Sequence, residues 1–490
     1  MRYLPKAICG SAAEKGVQIL QGAHEFIIIE VMKLQSINPH DQSVVGELEI
    51  STQQDVTVAI SKAKKAFESW RFTPIKKRIK YIKIYREKIV ENKEKLARLT
   101  TLEMGKPLNQ SLDDIGWELE FIDYYIDKGT ENLADEVVLN KGKEHYRVVF
   151  EPYGVCACIA PWNFPLSMMN SGVLPALIAG NTVIFKPSEY TSLSQKFAAD
   201  LLIESGLPEG VMQVLIGTGE VGKMLVDADI DLMWFTGSTK VGQEIYKKCG
   251  DIFIKALCEM GGSSAGIVFA DADLKVTMEN LYWARFLNCG QVCSSVKRLF
   301  VEKKVYKKVL EQFIDRLKKV KLGNPMENAD VGPLVSKKQL DLLELQVKDA
   351  VEKGAKVEVG GKKPTGKVYE KGNYFEPTIL TNVNFDMKVL SEETFGPVLP
   401  IIPFETEDEV IKMANRTQYG LTSEIYTTDL KKGERIGHRL DSGVVAINTD
   451  SFYKPVCPIG GYKKSGIGRE YGKIGMQEFA QVKLMAVNKA

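Results

Sequence analysis

Between about residues 147 and 445 the chain alternates short β-rich runs with helical stretches, and that alternation leaves few architectures open. Strands joined through crossover helices lie parallel, and a parallel sheet needs helices on both faces to cover it. Val155–Pro161, Thr182–Lys186, Met212–Ile216, Leu232–Phe235 and Gly266–Phe269 form a first set of such runs. Arg298–Val301, Val357–Gly360, Ile379–Leu380, Val398–Pro403, Thr422–Tyr426 and Val444–Asn448 form a second. The pattern predicts an α/β chain with two doubly wound units in tandem, divided near Glu259-Met260-Gly261-Gly262. A length of 490 residues agrees, being too great for one core.

Ahead of this region the period turns helical. Thr52 and Asp55 form a capping box before Val56, Ala59, Ala63, Phe67 and Trp70. Pro74 breaks the pattern, and a second helix carries Ile75, Ile79, Ile82 and Val90 on one face. The interleaved Lys76, Lys77, Arg78, Lys80, Lys83 and Arg86 read as a solvated face, with an anionic partner as the alternative. Residues 1–31 have no signal-peptide pattern and read as a dispensable extension, with Met32 a second plausible start.

Charge and composition narrow the function classes. Lys+Arg number 65 and Asp+Glu 63, which gives no basic field for nucleic acid. No apolar run approaches a membrane span. Eight cysteines spread along the chain suit a reducing, cytoplasmic setting better than a disulfide scaffold. The four histidines are scattered and none stands at metal-ligand spacing. Cys156-Ala157-Cys158 lacks a second ligand pair and reads as small strand residues rather than a zinc site, so no metal is expected. With histidine this scarce, acid-base chemistry falls to carboxylate, lysine or thiol.

Three segments supply such chemistry. Cys293, in Gly290-Gln291-Val292-Cys293, offers a nucleophile, although a lone cysteine is more often a core residue. Glu259 closes an apolar run before Gly261-Gly262, where burial raises a carboxylate's pKa and suits it to act as a base. Asn163, in Pro161-Trp162-Asn163-Phe164-Pro165, offers an amide donor to a developing oxyanion. Two glycine clusters compete for a cofactor: Gly217–Gly222, a formal G-x-G-x-x-G, and Thr236–Gly242, which opens a helix with hydroxyls and amides. Lys186-Pro187-Ser188-Glu189 adds a cation and a carboxylate suited to ribose hydroxyls.

Taken in order, these motifs resemble the aldehyde dehydrogenase superfamily from about Met32 to the C-terminus. The resemblance rests on Pro161–Pro165, Gly180-Asn181-Thr182 running into Lys186–Glu189, Phe235–Gly242, Glu259–Gly262 and Asn288–Cys293. Glu393-Thr394-Phe395-Gly396-Pro397 and Ser465–Glu470 complete it. It implies Cys293 as nucleophile, Asn163 with the Cys293 N–H as oxyanion hole, and Glu259 as the base that activates the deacylating water. It places NAD against Trp162, Lys186, Ser188, Glu189, Gly219, Gly237, Ser238, Glu393 and Phe395, and demotes Gly217–Gly222 from the main phosphate loop. Repulsion of a 2′-phosphate by Glu189 favours NAD, while Lys186 leaves NADP open.

The look is nearest to the succinate-semialdehyde branch, with two departures. Ser171 and Leu287 stand where that branch commonly has arginine, which removes the fork that grips a carboxylate. Lys454 is the candidate replacement, with a solvent-facing lysine as the plainer reading. Met168, Met169, Leu287 and Phe452 would line an otherwise apolar tunnel. The implied architecture is a Rossmann-type coenzyme domain (32–127 and 148–258), a catalytic α/β domain (259–455) and a small β oligomerisation element (128–147 and 476–490). That element, with Phe479, Val482, Leu484 and Ala486 alternating, implies a homodimer or homotetramer. Coenzyme-A-acylating and catalytically silent relatives are the alternatives; intact Glu259 speaks against the first and the full catalytic set against the second. Cys289 reads as a small residue near the active-site loop, with a protective disulfide to Cys293 under oxidation as the alternative.

Overall fold

The computed structural model describes residues 15–22 and 25–489. Two open sheets in tandem form its centre, as the alternation predicts. The first has six strands in the order Gly466–Ile467, Lys255–Glu259, Leu232–Thr236, Val155–Ile159, Thr182–Lys186 and Met212–Val214. Neighbours are parallel except Gly466–Ile467, which runs antiparallel beside Lys255–Glu259. Every residue of Val155–Ile159, Thr182–Lys186 and Leu232–Thr236 is buried, which is why these runs are apolar without alternation. Chain order runs outward from Val155–Ile159 in both directions. The carboxyl ends of Val155–Ile159 and Leu232–Thr236 therefore flank a topological switch point, where such sheets bind ligands.

The second sheet has seven strands, ordered Lys356–Val359, Thr378–Thr381, Val398–Phe404, Val296–Glu302, Ser264–Val268, Thr422–Tyr426 and Val444–Ile447. Only Lys356–Val359 runs antiparallel. The connector between the sheets spans 260–263, at the expected break. A Cβ on Gly262 would lie 2.7 Å from the Cys293 carbonyl oxygen, so a side chain there would collide with the loop crossing it. Residues 456–475, which the sequence reading left in neither unit, return to the first sheet through Gly466–Ile467.

Thr52 caps the helix Gln53–Trp70 in the predicted box, with Asp55 Oδ2 accepting from the Thr52 N–H at 2.7 Å. Pro74 precedes the helix Ile75–Glu91, where Ile79, Ile82, Tyr85 and Ile89 are buried. Val90 does not join that face: Ile89 takes the inward place and Val90 is exposed. Lys76, Lys77, Lys80 and Lys83 are solvated. Arg86 instead pairs with Asp123, Nη2 to Oδ2 at 2.8 Å, and Arg78 folds against Gly180.

The expected hairpin needs correction. Residues 128–132 close the long helix Leu108–Asn132, and the hairpin pairs Glu136–Lys141 with Glu144–Pro152. Ala480–Asn488 then adds antiparallel to Glu144–Pro152, leaving Val482, Leu484, Met485 and Val487 exposed. The expected extension at 1–31 lies partly outside the described residues. Its described stretches pair as strands Lys15–Gly22 and Glu25–Ile37, the latter continuing against Val44–Glu49. Among the described residues no helix is long and apolar enough to cross a membrane.

Candidate functional site

Asn163 and Cys293 come from different sheets and are tied together by amides. Asn288, Cys289 and Gly290 all have positive φ, a left-handed turn that lifts the following loop toward the first sheet. Asn288 Nδ2 donates to the Asn163 carbonyl at 2.9 Å, and Asn163 Nδ2 donates to the Gln291 carbonyl at 3.2 Å. Gln110 Oε1 accepts from the Asn288 N–H at 2.9 Å, and Gln291 Oε1 accepts from the Val335 N–H at 3.0 Å. The turn after Val155–Ile159 and the Cys293 loop are thus one hydrogen-bonded unit.

Glu259 ends the strand Lys255–Glu259 in register with Gly466. Its Oε1 has no hydrogen-bond partner among the described residues. Burial, with neighbouring Glu470, holds this carboxyl well above the usual range, opposed by Arg469 and the Gly461 N–H. Glu470 is itself pushed up to about 7 by burial, against hydrogen bonds from Trp234 Nε1 at 2.9 Å, Thr236 Oγ1 at 3.3 Å and the Ser171 hydroxyl. Burial pushes the Cys293 thiol up to about 11; Lys297 opposes this, and Glu393, Glu259 and Glu470 add to it. The resting group is therefore a protonated thiol, acted on by Lys297 and by three carboxyls.

Around the switch point the residues fit a dinucleotide. Ser238 caps the helix Thr239–Asp251, whose first amides face the carboxyl end of Leu232–Thr236. A Cβ on Gly237 would lie 2.6 Å from Phe235 Cζ, so the backbone there is kept bare, while Gly219 borders open space at the start of Gly219–Val226. Lys186 is buried, with Nζ donating to the Pro187 carbonyl at 2.9 Å, and a Cβ on Gly222 would lie 3.7 Å from its Cδ. Ser188 is buried and accepts from the Tyr190 N–H at 3.3 Å; Glu189 is half-buried. Trp162 meets Phe395 edge to face at 5.5 Å. Glu393 Oε1 accepts from the Gly262 N–H at 3.0 Å and from Lys297 Nζ at 3.0 Å.

A family model described as the aldehyde dehydrogenase family matches residues 29–485. The chain belongs to the aldehyde dehydrogenase family. It is 38% identical over 469 residues to betaine aldehyde dehydrogenase of Bacillus subtilis, covering 94% of this chain and 95% of that one. It is 36% identical over 454 residues to an NADP(+) succinate-semialdehyde dehydrogenase of Escherichia coli, covering 92% and 93%. A betaine aldehyde dehydrogenase from Staphylococcus aureus, solved with NAD+, superposes with a TM-score of 0.90 at 35% identity, covering 93% of this chain and 92% of that one. This aldehyde dehydrogenase is thus an NAD(P)-dependent oxidoreductase acting on aldehydes.

The residues predicted to meet the aldehyde are placed unevenly. Met168, Leu287 and Phe452 are half-buried. Met169 does not line a tunnel: it is fully buried in the core beneath the first sheet. Ser171 is buried, with its hydroxyl shared between the Met168 carbonyl at 3.5 Å and Glu470. Lys454 is exposed and makes no ion pair among the described residues. One residue before Met168 and Ser171 respectively, Ser167 and Asn170 hold Glu118, with Asn170 Nδ2 to Oε1 at 2.8 Å; burial pushes Glu118 up to about 7. Glu470, Lys297 and Glu118 escaped the sequence reading. Only Glu470, inside the quoted Ser465–Glu470 motif, carried any signal. Cys156 and Cys158 are buried strand residues with sulfurs 3.6 Å apart, and Cys289 is a buried core residue.

Proposed function

We propose that this aldehyde dehydrogenase oxidises a small aldehyde through covalent attachment to Cys293, with Glu259 as base and Asn163 as oxyanion donor. The hydrogen-bonded union of Asn163 with the Cys293 loop carries this reading, because it fixes an amide donor beside the nucleophile's own backbone. Cys293 gives up its proton to Glu259, which releases it to solvent, and its sulfur bonds the aldehyde carbon. The carbonyl electron pair moves to oxygen, where the Asn163 amide and the Cys293 N–H receive the charge. A bound nicotinamide coenzyme would accept the hydride from the adduct carbon, which would leave a thioester on Cys293. Glu259, with its free Oε1, then takes a proton from water. The hydroxyl adds to the acyl carbon, the C–S bond breaks as Glu259 returns its proton to the sulfur, and the acid loses its own proton to water and leaves as the carboxylate.

Trp162, Lys186, Ser188, Glu189, Gly219, Gly237, Ser238, Glu393 and Phe395 are the proposed coenzyme contacts. Glu189 favours NAD over NADP by like-charge repulsion, so KM for NAD should be the lower; the reverse order would sink this assignment. Met168, Ser171, Leu287 and Phe452 are proposed to receive the aldehyde. Buried Glu118 and Glu470 near Ser171, with no arginine at 171 or 287, support an uncharged tail. The second reading, a semialdehyde carboxylate held by Lys454, is favoured by that lysine's lack of an ion pair. Faster turnover of succinate semialdehyde than of a neutral aldehyde of equal length, lost in Lys454→Ala, would establish the second reading.

The assignment as a whole is tested by Cys293→Ala, which should abolish NADH formation, and by Glu259→Gln. The glutamine variant should give a first-turnover burst of NADH followed by slow release. Full steady-state activity in either variant overturns the assigned roles. The exposed edge of Ala480–Asn488 supports a homodimer or homotetramer, and the spread of unpaired cysteines supports a cytoplasmic setting.

A further inference from the structure

Lys297 lies one turn of chain beyond Cys293, on the strand Val296–Glu302, and its side chain is wholly buried. An ammonium group at such depth is costly unless it is paired and hydrogen-bonded. Here Nζ donates to the Cys293 carbonyl at 2.6 Å and to Glu393 Oε1 at 3.0 Å, and Phe395 presents its ring with the centroid 5.5 Å away. Glu393 Oε1 also accepts from the Gly262 N–H at 3.0 Å. One cation therefore touches the nucleophile's own residue, the carboxylate proposed to meet the coenzyme, and, through Glu393, the connector behind Glu259. A neutral side chain would suffice to hold the backbone carbonyl alone.

The charged and titratable groups around the Cys293 thiol are Lys297 on the strand that follows it, Glu393, Glu259, Glu470 and Tyr453. Lys297 is the one cation among them. Burial pulls the Lys297 pKa down, and Glu393 and Cys293 oppose that pull. We propose that Lys297 is a positioning residue that favours the Cys293 thiolate and sets Glu393, linking nucleophile activation to the coenzyme site. The proposal rests on the reading of Cys293 as nucleophile and Glu393 as a coenzyme contact.

The test is the rate of Cys293 alkylation by iodoacetamide against pH in the full-length enzyme, with the label located by peptide mass mapping. Lys297→Met should displace the rate–pH profile upward by about one unit, slowing alkylation about tenfold below the thiol pKa, and should raise KM for NAD. Lys297→Arg should restore both, which a merely structural role would not require. Should Lys297→Met fail to fold, Glu393→Gln provides the opposite displacement, because the ammonium is then no longer neutralised. Labelling of Cys293 with superimposable profiles in wild type and Lys297→Met, or an unchanged profile in Glu393→Gln, overturns the proposal alone. A label that tracks inactivation but maps to another cysteine overturns the nucleophile reading and the proposal together.

Discussion

Glu118, buried, and Cys293, half-buried, are acids held above their ordinary pKa, and the sign of each shift fixes a pH response. The Glu118 carboxyl is raised to about 7 by burial, so the folded protein binds a proton that the unfolded chain has released. Its contribution to stability is full below the unfolded pKa and is lost as pH rises from about 4.5 toward 7. Glu118→Gln keeps an acceptor for Asn170 and has no charge to bury. It should therefore leave stability near pH 4 unchanged and raise it by about 1–3 kcal/mol at pH 8. Denaturant melts at the two pH values check this, and equal effects at both would refute it. Cys293, raised to about 11, should react with iodoacetamide ever faster as pH climbs from 7 to 10, with no plateau in that range.

At the scale of elements, the helix Pro165–Ala179 does most to place the site. It is buried nearly all round, and its polar residues Ser167, Asn170 and Ser171 turn to Glu118 and Glu470. Gly172 makes room for the Trp234 ring, since a Cβ there would overlap the indole. Gly172→Val should destabilise the protein by about 1–3 kcal/mol through overpacking and weaken activity by shifting Asn163. Thermal melts and kcat measured together check both effects.

Most strands of both sheets are legible in the sequence because parallel strands covered on two faces are continuous apolar runs, as Thr182–Lys186 and Leu232–Thr236 are. Lys255–Glu259 and Gly466–Ile467 are not among those runs, and Gly266–Phe269, grouped with the first set, belongs to the second sheet. The proposed roles of Cys293, Glu259 and Asn163 rest on motif and order. Glu118 and Lys297 were not legible, because a charged residue acquires its meaning only when distant segments bury it. Val90 and the 128–132 stretch were misread for a plainer reason: helical periodicity does not fix phase or length to the residue.

At the scale of the whole molecule, the C-terminal strand is the feature most open to test. Ala480–Asn488 is the outermost strand of a three-stranded sheet and carries a row of exposed apolar side chains. Deleting residues 480–490 should reduce the proposed homo-oligomer to monomers in light scattering and lower the thermal midpoint, because Glu144–Pro152 loses its neighbour. An unchanged mass would remove this strand from the interface.

Another return of the chain has a consequence for the order of synthesis. The segment that brings Gly466 beside Glu259, and Glu470 to Trp234, is made after nearly all the rest. Until it emerges from the ribosome, Lys255–Glu259 is an edge strand and its terminal carboxyl faces water, with an ordinary acidity. In the proposed mechanism, the nascent polypeptide would carry Cys293 before the base that turns an attached acyl group over is in place. Competence arrives at a single late moment, when the tail closes the first sheet.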